Sequence, residues 1–285
     1  MKVLDFDMPR NWRATMLAIA GGLAACSPAA VPDAAEPRRI VSLDYCADQY
    51  VLQFSDREDI LALSPDAEKH FSYLRNQATG LAKVRPRTAD ILALEPDLVV
   101  RSYGGDPGVT EFLERAGVSV IQLGYPRSLE DVREEVLRIG SLLGEPEKAR
   151  AVVDDMDERL SAIRNGDGTA IEVLYVTPGG VSAGRETLIN EMFEAAGMRN
   201  YLKRSGWHDV PLEQLAYDRP DLVAAAFFES DRSHTGSWSA ARHPLAEAML
   251  RDVPVVPFEG AWTSCGAWFL VEAIEALDAA RDAVQ

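Results

Sequence analysis

The 285 residues suffice for one large domain or two of ordinary size, but not for three. Hydrophobic residues make up 47% and charged residues 26%, which allows real cores and excludes a disordered chain. Asp and Glu number 45 against 29 Lys and Arg; the charge of −16 argues against a nucleic-acid binder or a polybasic membrane-surface protein, though not against a local basic pocket for an anionic small ligand.

In chain order, the first feature is a run of small apolar residues, 14–25, broken only by Thr15 and preceded by Arg10 and Arg13. It is about half as long as a bilayer span and reads as the core of a signal peptide. Leu23-Ala-Ala-Cys26 follows. It resembles the bacterial lipobox, in which the cysteine is lipidated and becomes the first residue of the mature chain. An ordinary signal peptide beside a chance cysteine is the plainer alternative. Asp5 and Asp7 are out of place in a basic leader, an anomaly that a start at Met8 removes. With residues 1–25 as leader, the mature charge is −17. Residues 26–37 read as a Pro/Ala-rich flexible tether. No other segment approaches ~18 continuous apolar residues, so nothing further is expected to span a membrane.

The body alternates strands and helices. Residues 39–43, 60–63, 98–100 and 118–123 read as strands, with helices over 47–54 and 109–116. Leu129, Val132, Val136, Ile139 and Leu143 then mark one face of a helix that Ser128 and Asp131 can cap as a box and that Gly144 and Pro146 end. A second helix, about 147–164, is roughly 27 Å long at ~1.5 Å per residue. The strand–helix pattern restarts with strands at 171–176, 222–227 and 253–258, a helix over 187–196 and a last helix from about 268. Asp90-Ile-Leu-Ala-Leu-Glu-Pro-Asp-Leu-Val99 echoes Glu213-Gln-Leu-Ala-Tyr-Asp-Arg-Pro-Asp-Leu-Val223, a helix and Pro-Asp turn before a strand in each half. The expected class is therefore α/β: two parallel-sheet lobes, 38–126 and 166–285, joined by helices over 127–165.

This arrangement resembles the helix-linked periplasmic binding proteins of ABC importers for vitamin B12, ferric siderophores and haem. The likeness runs from 38 to about 280. Its motifs are Arg39-Ile-Val-Ser-Leu43, Leu92-Ala-Leu-Glu-Pro-Asp-Leu-Val-Val100, Ala116-Gly-Val-Ser-Val-Ile121 and Leu188-Ile-Asn-Glu-Met-Phe-Glu-Ala-Ala-Gly-Met-Arg-Asn200. It implies two rigid lobes, a long connecting helix and a ligand in the cleft between them, with little closure. The ligand expected first is an iron chelate, siderophore or haem, and cobalamin second. The partner is a permease of the inner membrane, the location is the periplasm, and neither catalysis, nor a resident cofactor, nor a bare metal site, nor nucleic acid is expected.

Parallel sheets bind ligands beyond the carboxyl ends of their strands. The candidates are therefore Asp44, Tyr45, Ser64, Arg101, Tyr103, Gly104 and Tyr125 in the first half and Gly179, Arg185, Trp207, Phe228 and Trp262 in the second. Tyr103, Trp207 and Trp262 match aromatic cleft positions in the resemblance, and a planar macrocycle needs such surfaces for stacking. The arginines suit anionic ligand groups. The resemblance also implies one acidic permease contact per lobe: Glu213 in the second, and Asp106 or Glu111 in the first. Of the three cysteines, Cys46 and Cys265 remain once Cys26 carries lipid. Thiols in an oxidising compartment tend to pair, and a bond here would tether the lobes; separate thiols, one of them binding metal, are the alternative. His70, His208, His234 and His243 have no close metal-ligand spacing.

One enzyme reading competes. Gly180-Val-Ser-Ala-Gly184 fits the nucleophile-elbow pattern of a secreted serine hydrolase, with Ser182 as nucleophile and downstream histidines as bases. Pro178-Gly179-Gly180 weighs against it, because an elbow turns directly from strand to helix.

Overall fold

The computed structural model describes residues 38–163, 171–226 and 239–284, apart from the side chains of 282 and 283. The expected leader and tether lie outside the described residues. In the first lobe, β1 (Ile40–Ser42), β2 (Ile60–Ala62), β3 (Leu98–Arg101) and β4 (Ser119–Gln122) form one parallel sheet in the order β2-β1-β3-β4. Helices α1 (Tyr45–Phe54), α2 (Thr88–Leu92) and α3 (Val109–Arg115) connect or cover it. Its central strands are buried along their length, which is why Ile-Val-Ser and Leu-Val-Val carry no polar alternation.

The lobes are joined by a helical hairpin, α4 (Leu129–Leu142) and α5 (Pro146–Ala162). Ser128 and Asp131 form a reciprocal capping box at the start of α4. Gly144, at φ +89°, turns the chain, and proline opens α5. The helices are antiparallel, as the pairing of Arg133 Nε with Asp157 Oδ1 at 2.6 Å requires. They cross closely at Gly140, where a Cβ would intrude on Ala149 Cβ.

The second lobe repeats the plan. Strands β5 (Glu172–Val176), β7 (Arg199–Asn200), β9 (Leu222–Ala226) and β10 (Val255–Phe258) form a parallel sheet in the order β10-β9-β5-β7. The helices of this part are α6 (Leu188–Ala195), α7 (Leu212–Leu215), α8 (Pro244–Asp252), α9 (Gly260–Thr263) and α10 (Leu270–Val284). Sequence reasoning foresaw neither β7, α8 and α9 nor an antiparallel ribbon of β6 (Val181–Ala183) and β8 (Trp207–Asp209), with Ser182 opposite His208. This ribbon overturns the hydrolase geometry. Ser182 sits inside a strand, fully buried, and its hydroxyl has no hydrogen-bond partner in the protein, while His208 Nε2 contacts Ser205 O at 2.8 Å. An elbow needs an exposed nucleophile at a strand-to-helix turn, engaged by its base.

Alternation along each strand divides the core. Val41 and Val99 face Ile91, Val109 and Leu113 in an outer layer, and Leu174, Val176 and Val223 face Tyr201 and Met249 in another. The opposite faces, with Ile40, Val100, Val173 and Tyr175, join Val136 and Met156 of the hairpin and Phe269 and Ile274 of the C-terminal region in one continuous core. The lobes are therefore fused through a shared apolar layer. Tyr50 meets Trp268 edge to face at 5.5 Å, Tyr73 stacks on Phe269 at 4.4 Å, and the Tyr73 hydroxyl donates to Glu272 at 3.0 Å. Arg159 of α5 grips Glu275 of α10 with two hydrogen bonds of 2.8 and 2.6 Å. Among the described residues, no helix is long and apolar enough to cross a membrane.

Candidate functional site

A cavity of about 820 Å³ lies between the lobes. Its first-lobe wall comes from the loops after β1, β3 and β4, through Tyr45, Ser102, Tyr103 and the segment 123–127. The second-lobe wall comes from Tyr175 at the end of β5, the start of α6, Trp207 and the segment 263–266. Parallel strands thus point their carboxyl ends at the cavity from both sides.

Asp44 organises the first-lobe wall. One carboxylate oxygen accepts the Ala47 N–H at 3.0 Å and caps α1. The other accepts the N–H groups of Ser102, Tyr103 and Gly104 at 2.7, 3.1 and 2.9 Å, folding the β3 loop around a single buried charge. Gly104 lies so close to the Leu43 carbonyl that no larger residue fits. Arg101 locks the same loop, donating from Nε to Gly104 O and from Nη1 to Thr110 Oγ1, both at 2.8 Å. The loop presents Tyr103, 57% exposed, whose ring meets Tyr45 at 5.7 Å; Tyr45 in turn leans edge-on against Phe71. Burial raises the pKa of both phenols, and the Tyr45 phenol raises that of Tyr103 further, so both stay protonated near neutral pH. Tyr125, 80% exposed, and Trp207, 48% exposed, complete the aromatic rim, with Tyr175 buried behind Trp207 at 6.0 Å.

Four of the twelve expected ligand contacts, Tyr45, Tyr103, Tyr125 and Trp207, line the cavity together. Asp44, Arg101 and Gly104 stand outside the lining, holding the loop that presents Tyr103. Ser64 is buried beneath, donating its hydroxyl to Asp48 at 2.6 Å. Gly179 is the exposed residue of the turn before β6, and Arg185 is an exposed residue whose backbone pairs with Arg204. Trp262 packs against the shared core, leaving its neighbours Thr263 and Ser264 to line the cavity. Phe228 and His234 lie outside the described residues. Glu213, Asp106 and Glu111 are all exposed, Glu213 in the first turn of α7 and Glu111 in that of α3.

Cys46 and Cys265 form a disulfide, with Cα atoms 5.6 Å apart, and both residues line the cavity. The bond joins α1 of the first lobe to the segment after α9 in the second. Among the described residues, no group of three or more His, Cys, Asp or Glu is placed to hold a metal ion.

Among the cavity residues that sequence reasoning missed are Tyr50 and Glu135, on helices α1 and α4. Tyr50 of α1 is 2% exposed, and Glu135 of α4 is nearly as buried. Glu135 Oε1 accepts the Gly124 N–H at 2.6 Å, and Arg138 forks onto both carboxylate oxygens at 2.8 and 2.9 Å. Tyr50 lies four residues, one helical turn, beyond Cys46, and Glu135 interrupts the apolar face of α4; those spacings were the available signals.

The comparisons with known proteins agree with this geometry. Cobalamin-binding proteins from two strains of Halobacterium salinarum are 29% identical over 243 residues, covering 73% of this chain. The chain spans 65% of the length of those curated relatives. A periplasmic heme binding protein from Pseudomonas aeruginosa superposes with a TM-score of 0.63 at 25% identity, over 86% of this chain and 92% of that one. The periplasmic vitamin B12 binding protein BtuF of Vibrio cholerae gives 0.61 at 17% identity, over 87% and 98%, a likeness of fold. The periplasmic binding protein family model matches residues 75–237, more than half of the sequence, and the chain belongs to that family.

Proposed function

We propose that this protein is the solute-binding component of an ABC importer and holds a corrinoid in the interlobe cavity for delivery to a permease. The carrying observation is the chemistry of the cavity wall: a rim of Tyr45, Tyr103, Tyr125 and Trp207 suited to a flat macrocycle. Among the described lining residues, Arg127 is the one cation beside the carboxylates of Glu135 and Glu186. That balance suits a macrocycle rimmed with amides better than one carrying carboxylates. The name of the Halobacterium relatives supports the same ligand class. This reading puts the corrinoid, the second ligand expected from sequence, ahead of the iron chelate expected first. The iron-chelate reading keeps one supporting observation, the adjacent phenols of Tyr45 and Tyr103, whose oxygens are the kind of donor that haem iron takes from tyrosine.

Titration of the purified protein with cyanocobalamin, haemin and a ferric catecholate, read by tryptophan emission and melting temperature, tests the assignment. Cyanocobalamin is expected to quench Trp207 and raise the melting temperature. A response to haemin or the catecholate alone restores the iron reading, and no response to any of them defeats the transport reading.

The mature protein is anchored in the periplasm through lipid on Cys26 and docks onto its permease with Glu213 and an acidic residue of the first lobe, Asp106 or Glu111. Support comes from the leader pattern and from the exposure of all three carboxylates. Cys26→Ser is expected to move the protein from the membrane fraction to the soluble periplasmic extract; retention on the membrane counts against the anchor.

A further inference from the structure

Two polar groups on the helical side of the cavity, Tyr50 and Glu135, have as yet no individual part in holding the ligand. The Tyr50 hydroxyl is shut away from water and has no hydrogen-bond partner in the protein, although Tyr50 lines the cavity. A buried hydroxyl without a partner is rare and calls for an explanation. The Glu135 carboxylate faces the same cavity and is near enough to push the Tyr50 pKa up further, after burial, the larger cause. Arg138 and the Gly124 N–H fix Glu135 in place and use three of its acceptor positions, leaving lone-pair capacity on Oε2. The wall therefore holds one hydroxyl donor in want of an acceptor, beside a fixed acceptor that cannot donate.

We infer that Tyr50 and Glu135 form a carboxamide subsite: the Tyr50 O–H donates to the amide carbonyl of a ligand side chain, and Glu135 accepts from its NH2. This rests on the corrinoid reading and adds to it a specificity rule. A carboxylate at that position matches Tyr50 but meets Glu135 with like charge and no proton to share, so the subsite rejects the acid and takes the amide. The Tyr50 hydroxyl engages its partner when the ligand seats, through a small adjustment of a ring now packed between Phe54 and Trp268.

The test compares cyanocobalamin with the set of its derivatives in which one side-chain amide is hydrolysed to the acid, by equilibrium dialysis against the full-length protein. In the wild type, hydrolysis at one position is expected to weaken binding at least tenfold, with the other positions changing little. Glu135→Gln supplies an NH2 of its own and is expected to narrow that ratio to about threefold or less. Tyr50→Phe is expected to weaken cyanocobalamin several-fold without lowering the melting temperature. An unchanged amide-to-acid ratio in folded Glu135→Gln, or wild-type affinity in Tyr50→Phe, overturns the subsite while leaving the corrinoid reading intact. Failure of the wild type to bind any corrinoid overturns both.

Discussion

At the scale of single residues, two aspartates four positions apart, the N-cap Asp44 and Asp48 within α1, have opposite tasks. Asp44 gathers four backbone N–H groups, and its loss leaves those donors unpaired next to the cavity. Asp44→Ala is expected to cost about 3 kcal/mol, a typical penalty for stranded buried donors, and to speed hydrogen exchange at 102–104; unchanged exchange there would show that the loop holds itself. Asp48 is fully buried and satisfied mainly by Ser64, and burial lifts its pKa from 3.8 to about 6. Because the folded pKa lies above the unfolded one, its contribution to stability is fully present below about pH 4 and fades as pH rises through 6. Asp48→Asn, locked in the neutral form, should therefore gain on the wild type by about 1–3 kcal/mol between pH 4.5 and 7.5. Urea unfolding at the two pH values measures this, and parallel profiles would refute the burial argument.

Among the secondary elements, the α4–α5 hairpin depends on the absence of a side chain at one crossing. Gly140→Ala gains helix propensity of about 1 kcal/mol but drives a methyl group into Ala149, so a net loss of about 1–3 kcal/mol is expected. The double variant Gly140→Ala with Ala149→Gly should recover most of it, and a simple sum of the two single effects would mean that the crossing is not the cause. Legibility of the fold follows the same physics. The strands β1, β3, β5 and β9 were visible because burial on both faces leaves an uninterrupted apolar run, and α4 because its apolar spacing and capping box agree. The β6–β8 ribbon was invisible: three residues per strand carry no period, and Val-Ser-Ala pairs with Trp-His-Asp only through tertiary contact. The site was legible where aromatics follow strands, as at Tyr45, Tyr103 and Tyr125. It was illegible where helices α1 and α4 turn single polar residues inward, because Tyr50 and Glu135 sit among core positions.

For the whole molecule, the shared core, the polar contacts of Tyr73 and Arg159 with α10, and the disulfide bind the two lobes along one side of the cavity. Reduction, or Cys46→Ser with Cys265→Ser, is expected to cost about 2–5 kcal/mol by freeing a long loop in the unfolded state, and to lower the melting temperature by roughly 5–15 °C. Calorimetry in the presence and absence of reductant reads this directly, and a shift under 2 °C would mean that the noncovalent contacts alone hold the lobes. The bond also has a consequence for how the protein is made. Its two halves are 219 residues apart, so Cys46 emerges early and waits through nearly all of the remaining synthesis and export before its partner arrives. Oxidation at this pair is thus a completion signal. A chain halted before Cys265 keeps a free Cys46 thiol, open to mixed disulfides with any oxidoreductase that samples it, and is chemically distinguishable from the finished protein.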